Sequence, residues 1–163
     1  MTVVLASVAF WAPVHFPLVG DDGLTESVAC RARYRRLKTS ERRALDRRIR
    51  ANALGPDVRA AIRDKLADAR SGYTEREREE IEADLSAETI TDAEFLAHVL
   101  VDWDLKDRSG QAVIFSPATL AQVCEAWDGF EAALVRAYGD AMKAAGRVGE
   151  QEKNSEAPSG TGS

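Results

Sequence analysis

Apolar and polar residues alternate with a period of two in the first part of the chain, from Val3 to about Leu37. The alternation is clearest in its second half, where Val28, Cys30, Ala32 and Tyr34 alternate with Ala29, Arg31, Arg33 and Arg35. Such a period places one apolar face on a core and one basic face in water. The turn signal at Gly20–Gly23 makes this region a predicted β-hairpin of two or three strands, and Pro13 and Pro17 place its first half at a sheet edge.

From Thr39 onward the apolar residues recur every three or four positions, as on one face of a helix. Capping residues and prolines divide this part into six predicted helices, which begin near Thr39, Pro56, Thr74, Asp92, Pro117 and Phe130. The hydroxyl of Thr39 or Ser40 is expected to cap the first helix. We expect the fourth helix to run through Trp103, because Phe95, Val99 and Trp103 are spaced by four residues. The last helix is predicted to end near Ala145.

Together these patterns predict an α+β protein with a mainly α-helical body and a small N-terminal antiparallel β-sheet. A turn-rich segment between the fourth and fifth helices leads into the apolar run 112–115, which predicts a small hairpin or an extended loop. We expect a single domain over residues 1–145, made of the β-hairpin region 1–37 and the helical body 39–145. Residues 146–163 are dominated by Ser, Gly, Glu and Pro, and a disordered C-terminal tail is therefore expected.

Charge is divided unevenly along the chain, although the formal net charge is only -5. Residues 31–50 carry ten Lys and Arg against two acidic residues, whereas residues 75–94 carry nine Asp and Glu against two Arg. We expect these blocks to pair within the fold or with a partner protein. The alternative is that the arginine-rich block contacts nucleic acid, which the overall acidity disfavours.

No catalytic constellation is present in the sequence. There is no nucleophile beside a general base, no spaced pair of catalytic carboxylates and no phosphate-binding loop, so we expect no enzymatic activity and no cofactor. No apolar run approaches the roughly 20 residues that cross a bilayer, and membrane insertion is therefore not expected.

Metal-binding residue types are few and wrongly spaced for a metal site. His15 is predicted on a strand and His98 on a helix, and neither has a second ligand at metal-binding spacing. The aspartates within 102–107 resemble the start of a calcium loop but lack its later glutamate, so a turn is the better interpretation. Cys30 and Cys124 lie in apolar patterns and are expected to be buried thiols.

An aromatic stripe is the best candidate for binding a partner. Trp127, Phe130, Leu134 and Tyr138 lie at helical spacing across a bend at Gly129. Such a stripe either packs in the core or forms a docking groove for a segment of a partner or of a second copy. If it docks a partner, replacing Phe130 with Ala should weaken capture more than it lowers the melting temperature.

Several short segments form a recognisable order along the chain: Phe10 to Val14, Arg33 to Leu37 before Ser40-Glu41, Trp103 to Asp107 followed by Gly110, Phe115 to Leu120, and Ala133 to Tyr138. Over roughly residues 10–145, these segments resemble the tail assembly chaperones of long-tailed bacteriophages. The resemblance implies a strand region packed on a helical body. It also implies a non-enzymatic chaperone that binds the tape measure protein and keeps it soluble during tail assembly.

The same resemblance implies partners and a location. A longer product of a ribosomal frameshift would contact the tail tube protein, and the chaperone would act in the host cell cytoplasm and be absent from the mature virion. Two other functions remain open from the residues alone. One is an arginine-rich, nucleic-acid-associated regulator, and the other is a minor structural protein of the tail or connector.

Overall fold

The computed structural model describes the backbone of residues 8–155 and the side chains of residues 8–146. Within that part of the chain it has three strands and six helices, which confirms the predicted α+β class with its mainly helical body and small antiparallel sheet. The elements are β1 (Ala9–Val19), β2 (Thr25–Arg35), α1 (Thr39–Asn52), α2 (Pro56–Ala67), α3 (Glu75–Ser86), α4 (Asp92–Val99), β3 (Leu100–Trp103), α5 (Pro117–Ala126) and α6 (Phe130–Ser155).

The chain divides into two compact units. The first comprises Met1–Arg36 and Leu96–Ser163, and the second comprises Leu37–Phe95, so the boundary falls inside α4. The first unit contains the sheet with α5 and α6, and the second contains α1, α2 and α3. A single domain over residues 1–145 stays a prediction.

The predicted hairpin is confirmed, since β1 and β2 pair antiparallel around a turn in which Gly23 has a φ of 78°. Alternation along the strands gives the sheet one buried face, formed by Ala12, Val14, Phe16, Cys30, Ala32 and Tyr34. The sheet order is β1-β2-β3, so β1 is an edge strand as its prolines predicted. The part of this region before Val8 lies outside the described residues.

The prediction that the fourth helix runs through Trp103 is wrong, because α4 ends at Val99 and β3 follows it. Pairing with β2 favours the strand, with Ala32 opposite Trp103. The Trp103 indole N–H also donates a hydrogen bond of 2.7 Å to the carbonyl of Val113. After β3 a tight loop closes with a single bridge between Lys106 and Ala112, which confirms the predicted small hairpin or loop.

Helix α6 packs on β1 and β2 and completes the core of the first unit. The Tyr34 hydroxyl, fully buried, donates a hydrogen bond of 2.7 Å to the carbonyl of Leu134. The helix continues to Ser155, so its predicted end near Ala145 is wrong. Gly146 does not end the helix, because a glycine inside a helix costs only about 1 kcal/mol relative to alanine. Residues 156–163 of the predicted tail lie outside the described residues.

In the second unit, capping hydrogen bonds are present at the starts of α1 and α3, whereas α2 begins after Gly55, which has no side chain to cap it. Thr74 caps α3 by accepting a hydrogen bond from the Glu77 amide at 3.3 Å, and the Glu77 carboxylate accepts one from the Thr74 amide at 2.7 Å. This reciprocal pair confirms the predicted cap. At α1 the predicted hydroxyl cap is wrong, because the N-cap residue is Lys38, whose amide is bound by the Glu41 carboxylate at 2.9 Å.

Candidate partner-binding surfaces

The four residues of the aromatic stripe differ in exposure. Phe130 and Leu134 are fully buried at 0% exposure, whereas Trp127 and Tyr138 are half-buried. The bend that places them is made by Gly129, with a φ of 85°, a conformation that L residues rarely adopt. The Phe130 side chain and the Leu134 side chain therefore lie in the core of the first unit, and only Trp127 and Tyr138 offer surface to a partner.

Ring contacts explain why the stripe is ordered. Phe130 lies 5.5 Å from Phe16, 5.6 Å from Trp127 and 6.2 Å from Trp103, measured between ring centroids. Edge-to-face aromatic pairs of this kind stabilise a core beyond simple burial. This arrangement supports the core interpretation for Phe130, and the partner-binding role of the stripe stays a prediction.

At the far end of the stripe, Tyr138 contacts the cross-strand pair formed by Phe10 of β1 and Tyr34 of β2. Its ring centroid lies 5.5 Å from that of Tyr34 and 6.0 Å from that of Phe10. Burial raises the pKa of the Tyr34 hydroxyl well above its usual range, so that hydroxyl stays protonated and acts only as a hydrogen-bond donor to α6.

The basic and acidic blocks pair within the second unit, as the sequence predicted. Asp84 on α3 lies 2.8 Å from Arg47 and 3.6 Å from Arg50, both on α1. Arg48 lies 3.6 Å from the Glu94 carboxylate at the start of α4. Since α1 and α3 also contact one another, this charge pairing fixes which face of α3 turns toward α1.

A second candidate surface is a groove between α2 and α3, which the sequence analysis missed. It encloses a cavity of about 440 Å³ lined by Arg63, Leu66, Ala67, Glu82, Leu85 and Ser86. Helix α2 has no buried residue although Val58, Ile62 and Leu66 form an apolar stripe along it, and Val58 is 47% exposed. The sequence does contain a signal for this groove, because α3 has only Ile81 and Leu85 as large apolar residues that could cover the stripe of α2.

Two arginines hold α2 in place instead of a packed interface. Arg59, near the start of α2, donates hydrogen bonds to the carbonyls of Leu54 at 2.9 Å and Leu85 at 2.7 Å. Arg78, in α3, donates to the carbonyl of Leu66 at 2.5 Å and to the hydroxyl of Ser71 at 3.0 Å. Hydrogen bonds from charged donors to partly buried carbonyls at helix ends are stabilising, so α2 keeps its position while its apolar stripe stays partly uncovered.

The polar groups of the first unit serve turns and ion pairs. Asp107 accepts hydrogen bonds from the Ser109 hydroxyl at 2.6 Å and the Gln111 amide at 2.9 Å, which lowers the Asp107 pKa and confirms the predicted aspartate-rich turn. The Arg31 backbone N–H and guanidinium together bind Asp104 and lower its pKa. No group of metal-binding side chains occurs among the residues that the structure describes.

The two thiols are unequally buried. Cys30 is buried on the sheet, as predicted. The prediction of a buried Cys124 is wrong, because this thiol lies on α5, which has no fully buried residue, and is only half-buried. Burial raises the pKa of each thiol to about 11, so neither is a thiolate at neutral pH. None of the helices in the described part of the chain combines the length and the apolar character that a membrane span needs.

Comparison with known proteins gives one match. The model of a protein family described as phage tail assembly chaperone matches residues 1–150 of the 163-residue chain. That range includes every strand and helix described above except the last residues of α6. Neither the curated proteins nor the solved structures include a match.

Proposed function

Because this chain belongs to the phage tail assembly chaperone family, we propose that it binds the tape measure protein and keeps it soluble while the tail is assembled. The family match over residues 1–150 is the observation that carries the proposal. A chaperone of this kind needs no chemistry of its own. It stabilises a client by mass action and must later release it.

Exposed apolar side chains support a binding role. Four large aliphatic residues of the first unit have between 66% and 78% of their surface in solvent: Val8, Val19, Leu24 and Ile114. In the second unit, the uncovered stripe of α2 adds a further apolar surface. A holding chaperone requires apolar side chains that are accessible to its client, and these residues meet that requirement.

The proposal extends to partners and to location. The chain acts as a non-enzymatic protein in the host cell cytoplasm and is absent from the mature virion. A longer frameshifted form adds contact with the tail tube protein, and self-association covers the exposed apolar residues of the first unit when no client is bound. The nucleic-acid alternative gains no support, because Arg31, Arg47 and Arg48 are each paired with a carboxylate.

Co-expression with the tape measure protein encoded nearby tests the proposal. The expected result is that the tape measure protein moves from the insoluble to the soluble fraction and co-purifies with a tag on this chain. If it stays insoluble and no complex forms, the proposal is wrong. Mass spectrometry of purified virions separates a chaperone from a minor structural protein, because only the structural protein would be found in the particles.

A further inference from the structure

The α2–α3 groove is lined by one helical turn from each of two helices. Its lining residues on α2 are Arg63, Leu66 and Ala67, and those on α3 are Glu82, Leu85 and Ser86, so each helix contributes positions i, i+3 and i+4. Ridges with this spacing accept the side chains of a third helix laid between them. Leu66 and Leu85 give the groove an apolar floor.

The edge of the groove formed by α3 is acidic. Residues 75–86 carry six Asp and Glu against two Arg. Asp84 is turned toward the arginines of α1, whereas Glu82 is exposed and lines the groove itself. Glu79, one turn earlier on the same face of α3, is also exposed. A helix in the groove would therefore meet negative charge along the side that faces α3.

We propose that the α2–α3 groove binds an amphipathic helix of the client whose apolar stripe is bordered, on the side facing α3, by Lys and Arg. This inference rests on the proposed function and names the part of the chaperone that holds the client. The apolar stripe of the client fills the cavity and covers Leu66 of α2, while its basic residues meet Glu82.

The test uses the full-length chain and two labelled peptides of about 18 residues, long enough to form a helix. Both carry Leu at i, i+3, i+4 and i+7, and they differ only in having Lys or Glu along one edge of that stripe. Fluorescence anisotropy measures binding. The expected result is that the Lys peptide binds and the Glu peptide binds much more weakly, with the difference shrinking as salt is raised.

Two charge-reversal variants separate the groove from the general acidity of α3. Glu82→Lys removes the acidic edge, and the expected loss of affinity for the Lys peptide is roughly threefold to tenfold. Glu80→Lys makes the same charge change about 200° away around the helix and is the matched control. Glu80 is exposed and lies 3.6 Å from Arg76, outside the groove. Equal effects of the two variants would overturn the proposal.

A steric variant tests the apolar floor. Ala67 is exposed and lies in the last turn of α2, so Ala67→Trp should fold and should block the groove, which abolishes binding of the Lys peptide. Unchanged binding, or equal binding of the two peptides, would overturn the proposal. A dimer that forms as the concentration rises and that Glu82→Lys dissociates would also overturn the proposal, because the groove would then bind a second copy of the chain. Sedimentation velocity would detect such a dimer.

Co-expression distinguishes failure of this inference from failure of the proposed function. If the Glu82→Lys and Ala67→Trp variants keep the tape measure protein soluble as well as the natural chain does, the chaperone function stands and the groove is not its site. If the natural chain itself does not keep the tape measure protein soluble, the function fails whatever the peptides show.

Discussion

Replacing Phe130 with Ala is expected to destabilise the first unit severely, because this residue joins the sheet to α6. The Phe130 side chain is fully buried and its ring contacts those of Phe16, Trp103 and Trp127. The substitution removes the burial of the ring and leaves a cavity. The Gly129 bend fixes the start of α6 next to Phe16, so the surrounding residues have little room to collapse into the space.

The expected loss in the free energy of unfolding is about 3–5 kcal/mol. The upper part of that range applies because three aromatic neighbours lose contacts, each pair being worth roughly 0.5–1.5 kcal/mol before allowance for non-additivity. Ile114→Ala is the matched control. Ile114 is 77% exposed, and its truncation should change the free energy of unfolding by less than about 0.5 kcal/mol.

Urea unfolding followed by tryptophan fluorescence measures this directly, because two tryptophans contact Phe130 and report its surroundings. The expected result is a lower midpoint with an unchanged slope. A loss below about 1 kcal/mol for Phe130→Ala would refute the reasoning from burial. If that stable variant also captured less client, measured below its unfolding transition, Phe130 would belong to the partner-binding surface and not to the core.

Three further predictions concern individual polar groups. Tyr34→Phe keeps the ring but removes the hydrogen bond to Leu134, and should lower the free energy of unfolding, measured with urea, by about 1 kcal/mol. An unchanged free energy would mean that the hydrogen bond contributes nothing. The pKa of Asp104 is lowered, and the largest cause is the hydrogen bond from the Arg31 backbone N–H. Ionised Asp104 therefore stabilises the folded chain at pH values above the ordinary aspartate pKa. This contribution is lost as the pH falls below about 4. Asp104→Asn should flatten that pH dependence, and an unaltered profile would argue against the pair. Thr74→Ala removes the cap of α3 and should lower the stability of that helix by about 1 kcal/mol. Amide hydrogen exchange in the first turn of α3 should then be faster, and unchanged exchange would contradict the role of Thr74 as a cap.

Local patterns in the sequence were sufficient to predict the hairpin and most helix starts. The alternation through Cys30 and Tyr34, and the caps at Thr74 and Ser116, depend on neighbours within a few residues, so they can be recognised without a structure. Pairing of the arginine-rich and acidic blocks was also predictable, since two oppositely charged segments of one chain attract whatever the fold.

Elements that depend on distant contacts were not predictable. Strand β3 has only four residues, and it is stabilised by pairing with β2, which the local sequence does not show. The helical spacing of Val99 and Trp103 therefore predicted a helix at this position. The end of α6 was not predictable because glycine, which follows Ala145 at position 146, is common just after the last turn of a helix, whereas α6 continues to Ser155. The α2–α3 groove was missed because an apolar stripe indicates burial, and only coordinates reveal that the stripe is left partly uncovered.

The most direct test of the chaperone function is to dilute denatured tape measure protein into buffer that contains increasing concentrations of this chain, and to measure aggregation by light scattering. If the chain is such a chaperone, scattering should fall to the level of the buffer at a fixed molar ratio of this chain to tape measure protein. Glu80→Lys should behave as the natural chain does, and Ala67→Trp should require a higher ratio. Scattering that is unaffected by the chain at any ratio would contradict the proposal that it keeps the tape measure protein soluble.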